Sequence, residues 1–329
     1  MPKKILIIRF SSIGDIVLTS PVVRCLYQQG GDVEIHYLTK RKFSSIVENN
    51  PYIRKVYSIE SRVAEVLPFL RAESYDLILD LHNNLRSLHV IAGLRKPFRR
   101  FSKLNFRKWL LVRFKARVMP PVHIVDRYLQ TVEKLGVSND GQGLDFFIAP
   151  DGEVDIEQLP PPFRNGYIGF VIGGNHSTKI LPAEKVLEVC RGLDYPVVLL
   201  GGPEDAERGD LIASETGLTV YNACGKFSLM QSASLVRQAR MIITNDTGLM
   251  HIAAAFRKPV ISVWGNTVPE LGMFPYLPKD VPQLISEVTG LNCRPCSKIG
   301  FAECPEKHFR CMLDQNTRVM IDFAKEQCL

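Results

Sequence analysis

The stretch KILIIRFSSIGDIVLTSP, residues 4–21, joins an apolar run to a turn of small residues and then to a helical pattern. The run Lys4–Ile8 is apolar after its first residue, as expected of a strand that is buried on both faces. Gly14 allows a close approach of the backbone in the turn, and Asp15 falls in the first turn of the helix. A buried strand followed directly by a helix is the repeating unit of a parallel α/β sheet.

The same alternation continues along the chain. Further predicted strands are Val33–Leu38, Lys55–Ser58, Leu77–Asp80, Tyr167–Val171, Val197–Leu200, Thr219–Tyr221, Met241–Thr244 and Val260–Trp264. Predicted helices are Ile16–Gln28, Val63–Leu70, Ile124–Leu135, Ala183–Leu193 and Leu229–Ala239. Residues 150–166 contain three consecutive prolines and predict a linker. We expect two α/β domains, residues 1–155 and 156–329, with a ligand-binding cleft at the carboxyl ends of their doubly wound sheets.

The composition excludes several classes of protein. The 329 residues are 46% hydrophobic and 23% charged, which argues against a mainly disordered chain. No apolar run approaches the roughly 18–20 residues of a membrane span. The run Ile5–Ile8 stops at Arg9, well short of the roughly 7–15 apolar residues of a signal peptide. We therefore expect a cytoplasmic protein.

Common nucleotide and hydrolase motifs are missing from the sequence. Gly141-Gln142-Gly143 lacks the third glycine of a dinucleotide fingerprint, and Gly169–Gly174 is followed by Asn175-His176 where a P-loop needs Lys-Ser/Thr. Neither H-E-x-x-H nor G-x-S-x-G occurs. The sequence thus argues against a dehydrogenase, a Walker-type ATPase, a zincin and an ordinary α/β-hydrolase.

Asp15 has two interpretations. A carboxylate in the first turn of a helix caps free N–H groups and interacts favourably with the helix dipole. A carboxylate at the carboxyl end of a strand also lies where ligands bind in α/β sheets, and it is suited to act as a general base. The spacing alone leaves both open.

A second candidate site follows the predicted strand Met241–Thr244, where a polar turn leads into an Ala-rich helix. Thr247 and Gly248 begin that helix, and free N–H groups at a helix start bind phosphates. Asp246 is either an N-cap or part of this phosphate site. His251 is either a buried, hydrogen-bonded histidine or a ligand-binding residue.

Two other turns place polar residues after strands. Lys179 follows Gly173-Gly174, whose glycines leave room for a ligand, and its ammonium group suits a phosphate. The alternative is a solvated loop lysine. Glu204 follows Gly201-Gly202 and is either a partner for a ribose hydroxyl or a glutamate of a first helical turn.

Four cysteines cluster near the C-terminus in the pattern C-x2-C-x7-C-x6-C, formed by Cys293, Cys296, Cys304 and Cys311, with His308 inside it. Thiolates and imidazole are the usual ligands of structural zinc. A reduced structural cluster and a disulfide are the alternatives. Cys25, Cys190 and Cys224 lie in apolar patterns and are predicted to be small core residues.

Together these motifs resemble glycosyltransferase family 9, the lipopolysaccharide heptosyltransferases. The motifs that carry the resemblance are Ser11-Ser12-Ile13-Gly14-Asp15, Asp80-Leu81-His82 with Arg86, His123-x-x-Asp126-Arg127-Tyr128, Lys179-x-x-Pro182, Asn245–His251 and Val263–Thr267. The resemblance implies a GT-B fold, in which two Rossmann-like domains face each other across a cleft. It also implies an inverting transfer of heptose from ADP-heptose to the lipopolysaccharide inner core, with no metal needed for catalysis.

The resemblance also implies roles for individual residues. Asp15 and Lys179 correspond to catalytic residues. The donor site would comprise Lys179, Glu204, Asp246, Thr247, Gly248 and His251, and the acceptor site Ser12, Gly14, His82, Arg86 and Arg127. His82 departs from the glutamine that is frequent at its position, and Ile180-Leu181 departs from an aromatic residue.

The positive charge is concentrated in one segment. Residues 86–117 hold eleven of the 41 Lys and Arg residues and no acidic residue, so the net charge of +7 becomes −4 without them. Aromatic residues are interleaved with these charges, a pattern typical of a membrane interface. We expect contact with the inner-membrane surface and its lipid-linked acceptor, and no nucleic-acid partner. Nucleic-acid binding and a solvated basic helix are the competing interpretations.

The sequence leaves alternatives to heptose transfer open. They are a family member that uses another nucleotide sugar, a module that binds nucleotide or anionic lipid without turnover, and an epimerase of the same fold.

Overall fold

The computed structural model describes residues 2–328, which form two units. Unit 1 comprises Met1–Lys103 and Val122–Phe147, and unit 2 comprises Leu104–Pro121 and Ile148–Leu329. Each unit is built around one parallel sheet.

The strands agree closely with the sequence prediction. In chain order they are β1 Lys4–Ile8, β2 Glu34–Lys40, β3 Lys55–Ile59, β4 Leu77–Asp80, β5 Phe98–Arg100, β6 Ile168–Val171, β7 Val197–Leu200, β8 Val220–Asn222, β9 Met241–Asn245, β10 Val260–Trp264 and β11 Gln283–Glu287. Every predicted strand is present, with ends shifted by at most two residues. The strands β5 and β11 are not predicted from the sequence.

The α-helices follow the strands. In chain order they are α1 Ile13–Val17, α2 Ser20–Gln29, α3 Ser45–Glu48, α4 Leu67–Ala72, α5 Leu85–Leu94, α6 Asn105–Phe114, α7 Ile124–Leu129, α8 Ala183–Gly192, α9 Ala206–Thr216, α10 Leu229–Gln238, α11 Gly248–Ala255, α12 Arg310–Leu313 and α13 Thr317–Cys328. The predicted helix Ile16–Gln28 is divided between α1 and α2, and Pro21 lies in the first turn of α2, where it needs no hydrogen-bonded N–H.

Both sheets have the doubly wound strand order. The order in unit 1 is β3-β2-β1-β4-β5, and that in unit 2 is β11-β10-β9-β6-β7-β8. The order reverses beside β1 in unit 1 and beside β6 and β9 in unit 2. The loops after these strands are therefore where each unit is expected to bind ligands.

The division into units differs from the predicted boundary at residues 155/156. The predicted N-terminal domain included residues 104–121, but Leu111 of this segment packs against Val268 and Leu271, which places the segment in unit 2.

The predicted linker at residues 150–166 is also corrected. It is a packed part of unit 2, with Val154, Leu159 and Phe163 buried and the Glu153 carboxylate accepting from Ser234 Oγ at 2.9 Å. Proline was read as a sign of an open linker, but here it forms short turns that cover apolar surface.

No helix among the described residues combines the length and the apolar character that crossing a bilayer requires.

Candidate functional site

Asp15 of unit 1 forms the predicted cap. It is the third residue of α1, and its Oδ2 accepts from the Ser12 N–H at 3.1 Å and from Ser12 Oγ at 2.9 Å. About a fifth of its side chain is exposed, so the carboxylate is held by the turn and still open to a ligand. The capping interpretation is confirmed, and the general-base interpretation is compatible with it.

Arg9 holds the other oxygen of Asp15. One guanidinium nitrogen lies 2.6 Å from Asp15 Oδ1, and another donates to the Leu81 carbonyl at 2.6 Å and to the Tyr128 hydroxyl at 2.9 Å. Burial lowers the pKa of Arg9, but the negative charge of Asp15 and the neighbouring tyrosines together raise it by more. The net shift of the pKa is therefore upward. The guanidinium is therefore a fixed positive charge that orients the Asp15 carboxylate.

The turn after β4 is organised by Asp80, which is fully buried. Its Oδ1 accepts from the N–H groups of His82 and Asn83, and its Oδ2 accepts from Ser87 Oγ at 2.8 Å and Arg100 Nε at 2.9 Å. Asp80 is thus a structural residue that shapes the loop carrying His82.

His82 and Arg86 both contact the aromatic ring of Phe10. The His82 ring packs edge-on against Phe10 at 5.3 Å between centroids, and the Arg86 guanidinium lies 5.6 Å from the centroid of the same ring. Nδ1 of His82 is buried without a hydrogen-bond partner. Burial, followed by the charge of Arg9, lowers the pKa of His82 to about 3. A neutral imidazole here suits hydrogen bonding to a hydroxyl better than pairing with a phosphate.

We expect His82→Gln to reduce the loss of stability on acidification from pH 7 to pH 5. An unfolded histidine takes up a proton below about pH 6.5, whereas folded His82 stays neutral to about pH 3. The unfolded state therefore binds more protons in this window, and the free energy of unfolding falls as the pH falls. Thermal melts of both proteins at the two pH values measure the difference. An equal fall in Tm would contradict a buried, neutral His82.

The remaining predicted acceptor residues differ in exposure. Ser12 is exposed, whereas Gly14 is buried in α1. Arg127 is only 3% exposed and donates to the Ser102 carbonyl at 3.3 Å, and burial lowers the pKa of its guanidinium. His123 of the same motif caps α7 by accepting the Val125 N–H at 3.2 Å. The contact of Arg127 with Ser102 and that of His123 with Val125 both lie within unit 1.

In unit 2, the polar turn after β9 leads into α11 as predicted. Thr247 is the N-cap residue, but its side chain forms no cap hydrogen bond; its hydroxyl lies 3.4 Å from that of Thr244. Thr247 and Gly248 are only partly buried. The N-terminus of α11 is therefore suited to an anionic ligand.

Lys179 and Asp246 meet beside this helix start. Lys179 ends the 3-10 turn Ser177–Lys179, and its Nζ donates to Asp246 Oδ2 at 2.5 Å. Thr267 Oγ1 donates to the same oxygen at 3.0 Å. Lys179 is thus held at the turn and is not a freely solvated lysine, and Asp246 fixes its position.

The glycines of two other turns have a structural explanation. A Cβ atom on Gly173 would lie 2.2 Å from Asp205 Oδ2, and one on Gly201 would lie 2.7 Å from the same atom. The space predicted for a ligand at Gly173 is therefore filled by Asp205. A Cβ atom on Gly174 would lie 3.0 Å from Ile180 Cγ1 and 3.6 Å from the Thr247 methyl group, so this glycine lets both side chains pack against the turn. Glu204 is exposed beside these turns.

His251 is buried in α11, at 3% exposure. Asn245, which precedes Asp246, was named from the sequence only as part of a family motif, with no role of its own. The Asn245 side chain donates toward the carbonyls of Val171, Ile172 and Gly173 and accepts the Leu181 N–H. It joins the loop after β6 to the end of β9, so that Lys179 and Asp246 lie side by side.

The eight cysteines are free thiols, with Cys25, Cys190 and Cys224 buried as predicted. In the C-terminal cluster, Cys293 Sγ lies 3.8 Å from His308 Nε2. A metal ion needs several ligand atoms close together. Across residues 2–328, one group of three His, Cys, Asp or Glu side chains has its ligand atoms within 4.8 Å of one another, and it consists of Glu34, His36 and Glu73. Lysines already neutralise these two carboxylates, Lys4 pairing with both. Within the described residues, no three ligand atoms of the cysteine cluster and His308 come this close together. Zinc at this cluster stays a prediction.

Comparison with known sequences identifies the family. A sequence model of glycosyltransferase family 9 (heptosyltransferase) matches residues 64–303, well over half of the chain. The chain belongs to glycosyltransferase family 9. It is 25% identical over 288 residues to lipopolysaccharide heptosyltransferase 1 of Campylobacter coli, a match that covers 80% of this chain and 84% of the relative.

Solved structures of this family share the fold. A family 9 glycosyltransferase from Veillonella parvula superimposes with a TM-score of 0.79 at 23% identity, covering 99% of this chain and 97% of the other. An E. coli heptosyltransferase solved with ADP gives a TM-score of 0.69 at 20% identity, with coverages of 99% and 100%. The two parallel-sheet units of this glycosyltransferase form the GT-B fold.

The residues matched by the family 9 model include Lys179, Glu204 and Asp246 but begin after Asp15. The match gives the family and no role for a single residue, so the roles of Asp15, Lys179, Glu204 and Asp246 all stay predictions. Arg9 was not predicted as a site residue, although its position in the sequence carries a signal. It is a charged residue directly after a buried strand, a position that needs a partner.

Proposed function

We propose that this family 9 glycosyltransferase transfers heptose from ADP-heptose to the lipopolysaccharide inner core, with inversion at the anomeric carbon. The names of its relatives support the sugar and the acceptor, and a similar E. coli heptosyltransferase was solved with ADP. The observation that carries the proposal is the pairing of Lys179 with Asp246 beside the N-terminus of α11.

The donor binds to unit 2 in this proposal. The N–H groups of Thr247 and Gly248 and the ammonium group of Lys179 surround the diphosphate, where charge builds up as ADP leaves. Glu204 accepts from a ribose hydroxyl, and His251 supports the helix that carries the site. Positive charge from Lys179 and the helix start takes the place of a metal ion.

Asp15 acts as the general base. Its carboxylate removes the proton from an acceptor hydroxyl while that oxygen attacks the anomeric carbon. The new carbon–oxygen bond forms as the bond to the diphosphate oxygen breaks, and ADP departs with the bonding electrons. Attack from the side opposite the leaving group inverts the configuration. Arg9 supports this role because it holds the carboxylate in one orientation.

The acceptor saccharide binds to unit 1. Ser12 and the neutral ring of His82 contact hydroxyl groups, Arg86 contacts an anionic group, and buried Gly14 shapes the turn between Ser12 and Asp15. Arg127 contributes indirectly, because it is only 3% exposed and holds the Ser102 carbonyl.

We further propose that the protein works at the inner-membrane surface through an aromatic ridge, defined here as Phe106, Trp109 and Phe114 of α6. These side chains are 69%, 52% and 62% exposed. The Phe106 and Trp109 rings stack at 6.0 Å, and Trp109 meets Phe114 edge-on at 5.2 Å. Leu111 anchors α6 to unit 2 on its buried face, so the aromatic ridge is a second apolar surface that faces solvent. Such a surface flanked by cations fits an anionic bilayer.

The cations of the basic segment differ in whether they are free to meet a membrane. Arg99 and Arg100 belong to β5, where Arg99 donates to the Thr131 carbonyl and Arg100 pairs with buried Asp80. Arg107 and Arg113 are exposed on α6 itself, next to the aromatic ridge. The membrane contact therefore depends on α6 and not on the whole basic segment.

Replacing all three residues of the aromatic ridge by alanine is expected to reduce binding to phosphatidylglycerol vesicles at least tenfold, because the ridge supplies the apolar contact. Co-sedimentation with anionic and with phosphatidylcholine vesicles measures the effect. Phe69→Ala, which removes a 63% exposed phenylalanine from α4, is the matched control. Unchanged binding of the triple variant, or tighter binding of wild type to RNA than to vesicles, would contradict the proposal.

Turnover of the donor tests the proposed activity. ADP-heptose, ADP-glucose and UDP-glucose are incubated with the enzyme, with and without a lipid A–core acceptor, and the release of nucleotide is measured. We expect ADP release from ADP-heptose only when the acceptor is present. Binding without release would indicate a non-catalytic module, and conversion of the donor without acceptor would indicate an epimerase.

A further inference from the structure

The cysteine-containing segment of unit 2 contacts the two loops that carry the partners of Asp246. This segment, residues 293–301, is called the brace here. The proposed donor site depends on the ion pair between Asp246 and Lys179 and on the hydrogen bond from Thr267 to the same carboxylate oxygen. Each of these two partners lies in a loop that is tied to the brace.

Arg294 of the brace holds the loop after β10. Its guanidinium donates to the carbonyls of Gly265 at 2.5 Å, Thr267 at 3.0 Å and Trp264 at 3.3 Å, and it pairs with Glu287 at 3.0 Å. Only 5% of the Arg294 side chain is exposed. Its hydrogen bonds fix the backbone on both sides of Asn266 and so set where the Thr267 hydroxyl points.

Cys296 adds a backbone contact to the same loop. Its N–H donates to the Asn266 carbonyl at 3.0 Å, and its thiol donates to the Cys293 carbonyl at 3.1 Å. The turn from Cys293 to Cys296 is therefore closed on itself and bound to the loop between Trp264 and Thr267.

Phe301 of the brace holds the turn that carries Lys179. Its carbonyl accepts from the Thr178 N–H at 3.2 Å and from Thr178 Oγ1 at 3.0 Å, and its own N–H donates to Thr178 Oγ1 at 2.8 Å. Thr178 is 2% exposed and directly precedes Lys179. These three bonds set the position of the lysine.

The two braced loops also touch each other. A Cβ atom on Gly265 would lie 2.8 Å from the Thr178 carbonyl oxygen, so only glycine permits this approach. The contact brings Thr267 and Lys179 to one oxygen of Asp246 from two sides.

We propose that the brace sets the geometry of Asp246 and Lys179 for binding of a nucleoside diphosphate, with Thr267 and Arg294 as positioning residues. This inference rests on the donor site of the proposed function. It gives the C-terminal cysteine segment a role through its backbone and Arg294, whether or not its thiols bind a metal.

Substitutions at Thr267 test the inference, with ADP as the probe. Thr267→Val keeps the shape and removes the hydroxyl, and it is expected to weaken ADP binding about tenfold in calorimetry. Thr267→Ser restores the hydroxyl and should bind ADP within about twofold of wild type. Thr219→Val removes a surface hydroxyl that bonds only the Thr216 carbonyl, and it serves as the matched control.

Arg294→Lys provides a second variant, because lysine keeps the charge but cannot reach several carbonyls at once. It is expected to raise KM for the donor more than it lowers kcat. The carbonyls left unpaired should also lower the Tm, so a thermal melt confirms that the variant is folded at the assay temperature. Wild-type protein that fails to bind ADP would overturn the donor site itself. Normal ADP binding by wild type and equally tight binding by Thr267→Val would overturn only the positioning role.

Discussion

Asp15→Asn is expected to abolish sugar transfer, by at least about 10²–10⁴-fold, while ADP binds with nearly wild-type affinity. An amide keeps the size of the side chain and can still accept from Ser12, but it cannot take a proton from the acceptor. ADP binds to unit 2 in our proposal, so its affinity does not depend on Asp15. Steady-state assays and calorimetry with ADP measure the two quantities.

The control for this variant is Asp76→Asn, since Asp76 also accepts backbone N–H groups in unit 1, at Lys3 and Lys4. Thermal melts of both variants report whether the buried Arg9 tolerates the loss of its charged partner. A folded Asp15→Asn enzyme with the turnover of wild type would exclude Asp15 as the base.

Lys179→Met is expected to lower kcat/KM about 10²–10³-fold, the usual cost of removing a group that stabilises developing negative charge. The substitution also leaves the Asp246 carboxylate beside the diphosphate without its cation, so ADP binding should weaken as well. Stopped assays over a range of donor concentrations separate kcat from KM.

Lys185→Met is the matched control for Lys179→Met. Lys185 lies near Lys179 in the chain and pairs only with the exposed carboxylate of Glu188, so it should behave as wild type. If Lys179→Met retained the ADP affinity and the kcat of wild type, the charge of Lys179 would have no part in the reaction.

The strands were predictable where they are buried and not where they are exposed. A run of buried apolar residues is visible in the sequence. For this reason four strands have the predicted bounds: Lys4–Ile8, Leu77–Asp80, Val197–Leu200 and Val260–Trp264. The strands β5 and β11 lie at sheet edges and carry partly exposed polar residues, so they lack this signal.

The candidate site residues were recognised from motifs, but their partners were not. The sequence predicts that Asp15 and Lys179 follow strands. Arg9, Asn245 and Thr267 have no predicted role, because their contacts emerged only when the loops were seen together. Contacts between distant loops depend on the fold and not on spacing along the chain. For the same reason, counting charges in residues 86–117 did not separate Arg100, which pairs with Asp80, from the exposed cations of α6.

The most direct test of the central claim is the structure of the product. Purified enzyme is incubated with ADP-heptose and a lipid A–core acceptor, and the product is analysed by mass spectrometry and by NMR of its new anomeric centre. We predict that the acceptor gains one heptose residue with the anomeric configuration opposite to that of the donor. An acceptor of unchanged mass, or a product that keeps the configuration of the donor, would contradict the account.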